Sequence, residues 1–166
     1  MLKVFQGKIL YVNDKEVWKS FKLRLFVSYD SGETWFEKGR LPIEKFSDFF
    51  TLTRITSRLL RSEYHYFLKT ENQNGIVLAN KSIYSFENNS RLLTYVSDYN
   101  GSRPLSLELI NKSVQYGEYG RNPKKKPMSI WKLDKNKIPQ RLWSFDSVRH
   151  VHGVYFDQIT KFTWVT

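Results

Sequence analysis

Arg149-His150-Val151-His152 is the densest run of chemically capable side chains in this sequence. On an extended strand residues two apart share a face, so His150 and His152 are expected to point one way and Val151 the other. Two imidazoles on one face can supply two ligands to a divalent metal, with a carboxylate from elsewhere as a third. The same side chains can instead hold an anion, Arg149 and His152 closing around a glycan carboxylate. Candidate carboxylates are Glu118, within Tyr116-Gly117-Glu118-Tyr119-Gly120, and Asp157, at the end of Val154-Tyr155-Phe156-Asp157. As a catalytic pair for glycoside hydrolysis they would have to sit about 5–5.5 or 6.5–9.5 Å apart, which spacing in sequence does not fix. Tyr116 joins Arg149, His150 and His152 as a candidate substrate contact. The structural alternative has one histidine in a core and the other at a packed interface, with Gly117 and Gly120 as strand-end or bulge residues. No Gly-rich phosphate loop, nucleophile elbow or His-Glu-x-x-His helix is present.

Composition narrows the chemistry further. The absence of cysteine removes disulfides, thiolate ligands and a cysteine nucleophile, so any metal would rest on histidine and carboxylate. At 166 residues the chain is long enough for one domain with its own core. The opening residues lack a leader pattern and no apolar run is long enough to span a bilayer, so a cytoplasmic protein with no membrane partner is the expectation. A net charge of +11 suits an anionic partner or a lysine-rich surface. Only Lys124-Lys125-Lys126, between Pro123 and Pro127, is a dense run, and the scatter of the rest favours the lysine-rich surface. Lys22, Arg24 and Lys125 interleave with Tyr119 and Trp131, the pattern a single-stranded nucleic acid would need. No nucleic-acid motif accompanies them, which makes that partner the least favoured.

The elements that must position these groups read as strands. Leu23, Leu25 and Val27 alternate ahead of Ser28-Tyr29-Asp30-Ser31-Gly32-Glu33-Thr34-Trp35, and the chain leaves through Phe36. Asp30 is placed to accept bonds from the N–H groups of its own turn, and Gly32 to supply a positive φ. Ser28 is expected to tie the strand end to the turn, and Trp35 to drop its ring into whatever lies beneath. Further strands are expected over 8–12, through 17–18 and 21–27, and over 64–68, 76–78 and 82–86. The segment 44–60 fits a helix or a strand pair.

Comparison of the chain with itself finds a repeat. Phe26-Val27-Ser28-Tyr29-Asp30-Ser31-Gly32 aligns with Ile83-Tyr84-Ser85-Phe86-Glu87-Asn88-Asn89 and with Ile130-Trp131-Lys132-Leu133-Asp134-Lys135-Asn136. In each, apolar residues precede an acid, and two residues later comes Gly or Asn, the types that tolerate left-handed backbone. The copies recur at intervals of roughly 50 residues, close to the period of propeller blades. The expected fold is therefore all-β, a single incomplete β-propeller over 1–166. It would hold about three to four blades of antiparallel hairpins, with repeat anchors near 28–35, 85–92 and 132–139. Because the sequence stops within the strand-like Phe162-Thr163-Trp164-Val165-Thr166, a homodimer or a missing C-terminal half is expected to cover the open sheet edges.

The order Ser28-x-Asp30-x-Gly32-x-Thr34-Trp35 resembles the Asp-box, or bacterial neuraminidase repeat, of sialidases and other β-propellers. The Gly117-Glu118-Tyr119 and Arg149-His150-x-His152-Gly153 segments are similar to the N-terminal half of Asp-box proteins grouped with glycosyl hydrolases. That resemblance implies a structural role for Ser28, Asp30, Gly32, Thr34 and Trp35 on the outer part of a blade, away from the central site. It also implies glycan binding or processing. A sialidase needs three arginines, a Tyr nucleophile assisted by Glu, and an acid/base. Arg54-Ile55-Thr56 matches the Arg-Ile-Pro segment of such enzymes only in part, and half a propeller cannot assemble the arginine triad. A complete active site is therefore not expected, and whether the chain is an enzyme stays open. A non-catalytic interaction module on the same fold is the alternative.

Overall fold

The computed structural model describes residues 6–42, 64–70, 74–79, 81–99, 104–134 and 136–166. These residues form strands and turns, with no helix among them. β1 (Lys8–Val12), β2 (Val17–Phe21), β3 (Arg24–Ser28) and β4 (Phe36–Arg40) make one sheet in chain order. β5 (Tyr64–Lys69), β6 (Gly75–Ala79), β7 (Ser82–Phe86) and β8 (Thr94–Asp98) make a second. β9 (Glu108–Ile110), β10 (Ser113–Gly117), β11 (Met128–Leu133) and β12 (Pro139–Phe145) make a third. β13 (Val154–Phe156) and β14 (Thr163–Val165) pair alone. The architecture is thus all-β, built of antiparallel sheets none of which closes on itself. The segment 44–60, with Arg54, lies outside the described residues. Among the described residues no helix is long and apolar enough to cross a membrane.

The chain divides into two compact units, Met1–Asn80 with Tyr84–Tyr95, and Lys81–Ile83 with Val96–Thr166. In the first unit, strand alternation sets the core. Leu25 and Val27 of β3 are fully buried while Arg24 is exposed. They join Trp18, Phe67, Val77 and Phe86 in one cluster, where the Trp18 ring lies 4.6 Å from Phe67 and 5.6 Å from Phe86. Each such ring contributes about 1.5–3 kcal/mol by leaving water. Among the polar groups drawn into this core the Trp18 Nε1 finds no acceptor among the described residues, whereas two others are paired. The Tyr64 hydroxyl donates to the Leu23 carbonyl at 3.0 Å, and burial holds its phenol far above the ordinary range. Lys69 pairs with the buried carboxylate of Glu16.

Two local expectations are corrected here. The stretch 21–27 is not one strand. Lys22, at φ 55°, and Leu23 turn the chain between β2 and β3. Nor is Trp35 the core ring. It stays half-exposed, its Nε1 donates to the Gly32 carbonyl at 3.1 Å, and the Lys19 ammonium sits 3.8 Å from its centroid. Trp18, fully buried, takes the core position instead.

The three repeat anchors occupy the same place in their sheets. Asp30, Glu87 and Asp134 each follow the third strand and begin the connection to the fourth. The Asp30 carboxylate accepts the N–H groups of Glu33 (2.9 Å) and Thr34 (2.8 Å) and the hydroxyls of Ser28 (2.7 Å) and Thr34 (2.5 Å). Ser28 Oγ in turn accepts the Gly32 N–H at 2.7 Å. Asp134 repeats the device, its Oδ1 taking the N–H groups of Asn136 and Ile138 at 2.8 Å each. At Glu87 the turn closes through backbone, Ser90 N–H to the Glu87 carbonyl at 2.9 Å.

Left-handed backbone across the chain falls mainly on lysine. Lys22, Lys81, Lys112, Lys125, Lys137 and Lys161 all take positive φ. In the second unit Asn111 and Lys112, both at positive φ, form the two-residue turn that joins β9 to β10. Ile110, Met128, Ile130, Val151 and Val154 form that unit's core, uniting the β9–β12 sheet with the β13–β14 pair.

Candidate functional site

The histidine pair is placed by two departures from regular strand pairing, both in the second unit. β10 ends at Gly117, where a Cβ would run into the side chain of Val151. Glu118 then fastens three backbone groups. Its N–H donates to the Ser129 carbonyl at 2.9 Å, its Oε2 accepts the Ser129 N–H at 3.0 Å, and its carbonyl accepts the Val151 N–H at 3.0 Å. Val151 is thereby drawn into the core. Next, the N–H groups of His152 and Gly153 both donate to the Thr166 carbonyl, while Thr166 N–H returns to the Gly153 carbonyl at 3.1 Å. Two residues opposing one is a bulge, which re-aims the side chain at that point. Because of it, Val151 and Val154 are both buried while His152 and Tyr155 are both exposed.

The outcome is a cluster of rings. His150 and His152 have centroids 4.5 Å apart, and their Nε2 atoms meet at 2.9 Å. Tyr119 packs against both, at 4.8 and 5.9 Å. The same-face relation expected of the two histidines is present, although 149–153 lies outside any regular strand. Partial desolvation, then the neighbouring His152 and Arg149, hold the His150 imidazole below its ordinary pKa. It is therefore neutral near pH 7.

Beside this cluster the β13–β14 pair presents aromatic surface. Tyr155 and Trp164 are register partners, 50% and 58% exposed, so a cross-strand aromatic pair faces solvent. The inner face carries Val154 and Phe156 against the core. Gly153 leaves room for the Tyr155 ring, whose hydroxyl would stand 2.5 Å from a Cβ there. A basic loop borders the histidine segment. Asn122 Nδ2 donates to the carbonyls of Lys126 (2.7 Å) and Val148 (3.1 Å), which fastens Lys124-Lys125-Lys126 to the residues that lead into Arg149.

The other candidates fall elsewhere. Tyr116 is fully buried in β10, where no dissolved ligand touches it. Glu118 is engaged with Ser129, as above. Asp157 organises the β13–β14 turn. Its Oδ1 accepts the Ile159 N–H at 2.8 Å and its Oδ2 the Thr160 hydroxyl at 2.6 Å. Those bonds, Thr160 first, hold its carboxyl below the usual range. Among the described residues no set of three His, Asp or Glu side chains is grouped to hold a metal ion. Sequence reasoning passed over Tyr119 as a seat for the imidazoles and Tyr155–Trp164 as an exposed pair. Strand alternation gives the two faces but not which one meets water, so only the bulge at His152–Gly153 reveals them. No protein-family model, curated protein or solved structure matches the chain.

Proposed function

We propose that this chain is a carbohydrate-recognition module of the Asp-box propeller type, binding acidic glycans at the face formed by Tyr119, Arg149, His150, His152, Tyr155 and Trp164. The observation that carries the reading is the exposed Tyr155–Trp164 pair joined through Gly153 to the imidazole pair and Arg149. Aromatic faces offer apolar area to the C–H surface of a sugar ring, and a guanidinium offers charge-assisted bonds to a carboxylate or sulfate. Binding is favoured over hydrolysis because the carboxylates of Glu118 and Asp157 already accept bonds from their own backbone and turn. The recurrence of acid-led turns at third-to-fourth-strand connections supports the propeller reading. On that reading, strands from a second copy or a C-terminal half complete the ring.

A glycan array with acidic and neutral sugars tests this. Retention of acidic glycans over neutral ones is expected. Trp164→Ala should weaken both, and Arg149→Ala should weaken the acidic ones alone. No retention, or retention indifferent to Trp164→Ala, rules it out. A basic nucleic-acid binder would instead retain mixed oligonucleotides with steep salt dependence.

A further inference from the structure

We infer that His150 and His152 form a surface chelate for a divalent transition metal, accepting Cu2+ or Ni2+ ahead of Zn2+. The inference goes beyond glycan binding and does not depend on it. Metal–imidazole bonds run about 2.0–2.1 Å, so two of them at a right angle set their nitrogens about 2.9 Å apart, whereas a tetrahedral angle sets them about 3.3 Å apart. The Nε2 atoms here stand at 2.9 Å. The separation of the two nitrogens thus already matches adjacent positions of a square-planar or octahedral ion, and only the ring directions must adjust. A tetrahedral ion would force them apart by about 0.4 Å.

The backbone is prepared for this. Val151 N–H is held by the Glu118 carbonyl and His152 N–H by the Thr166 carbonyl, with the Val151 side chain buried between them. Little ordering is left for the metal to impose, which removes much of the usual entropic cost. Without metal, one imidazole donates its Nε2–H to the other. On binding, that proton shifts to Nδ1 by exchange with water, and both Nε2 lone pairs turn to the ion. No third His, Asp or Glu is grouped with the pair among the described residues, so water or an anion fills the remaining positions. Arg149 stands next in sequence and opposes a second positive charge, which favours an anionic co-ligand.

The test is titration of the full chain with CuSO4 and NiCl2 in a non-coordinating buffer at neutral pH, with no glycan present. One ion per chain is expected, and the copper spectrum in paramagnetic resonance should carry coupling to imidazole nitrogen. His150→Gln and His152→Gln should each weaken binding at least about tenfold, the scale on which lesser changes around a metal already act. His65→Gln, at the remaining histidine, should leave it unchanged. Far-UV circular dichroism checks that each variant is folded. Absence of stoichiometric binding, or binding that survives in both His150→Gln and His152→Gln, overturns the inference, whatever the glycan array returns.

Discussion

At the Asp30 turn, hydroxyl and N–H donors from Ser28, Glu33 and Thr34 converge on one carboxylate, and Ser28 takes up the Gly32 N–H. At the His150–His152 segment the polar side chains meet each other and an aromatic ring, while backbone bonds and the buried Val151 side chain hold the chain in place. Both regions are polar, both sit next to strands, and both could be nominated as sites from sequence. The difference is the direction in which acceptor capacity points. A carboxylate saturated by its own loop defines local structure. A pair of imidazoles with outward-facing neighbours is available to a ligand. By that measure Asp157, for all its proximity to the histidines in sequence, belongs with Asp30.

The largest effect is expected where the second region leans on packing. Gly117→Ala sets a methyl against Val151, and overpacking there should cost about 1–3 kcal/mol in urea unfolding. It should also spread the histidines and weaken ligand binding at their face. An Ala variant that unfolds like the parent would mean Val151 does not fix them. Next comes Ser28→Ala, which strips the Asp30 turn of one donor and leaves the Gly32 N–H without its acceptor. A loss of about 1–2 kcal/mol is expected, with binding at the histidine face intact. Reduced binding in that variant would erase the distinction between the two regions.

The smallest effect is a pH dependence. Bonds from Thr34, then Ser28 and Glu33, hold the Asp30 carboxyl far below the usual carboxylate range in the folded chain. Its contribution is complete above the unfolded value of about 3.9 and is lost as pH falls through and below it. The stability gap between the parent and Asp30→Asn should therefore narrow from about pH 5 downward. A gap that stays constant from neutral to acid would show that charge on Asp30 has no part in holding its turn.

Much of the fold was legible. Alternation at Leu25 and Val27 gave the buried face of β3, while Leu23, also buried, lies in the turn before it. The acid-plus-Gly/Asn spacing fell on the third-to-fourth-strand connection in each four-stranded sheet. Its reason holds in full only at Asp30, where the carboxylate accepts the turn and Gly32 is left-handed. After Asp134 the left-handed residue is Lys137 and not Asn136, and the Glu87 turn closes through backbone. The Lys22–Leu23 turn was not legible, since it uses a lysine where Gly or Asn is the usual signal. The site was half legible. A His-x-His spacing implies one face whenever the backbone is extended, but the bulge opposite Thr166 is a matter of register. Sequence periodicity carries no register between distant segments. The same gap hid the exposure of Trp164 and the burial of Tyr116.

The lysines at left-handed turn positions have a practical corollary. Glycine adopts that backbone without the roughly 1–2 kcal/mol penalty an L side chain meets there, offset in part by its freedom in the unfolded chain. Replacing Lys22, Lys81, Lys112, Lys125, Lys137 and Lys161 together would remove six positive charges at positions where glycine meets the backbone's demand unaided. Those six replacements would lower the net charge from +11 to +5, so part of this protein's basicity sits at turns that glycine could take, and the decharged version is an instrument for asking how far its partners are drawn by charge.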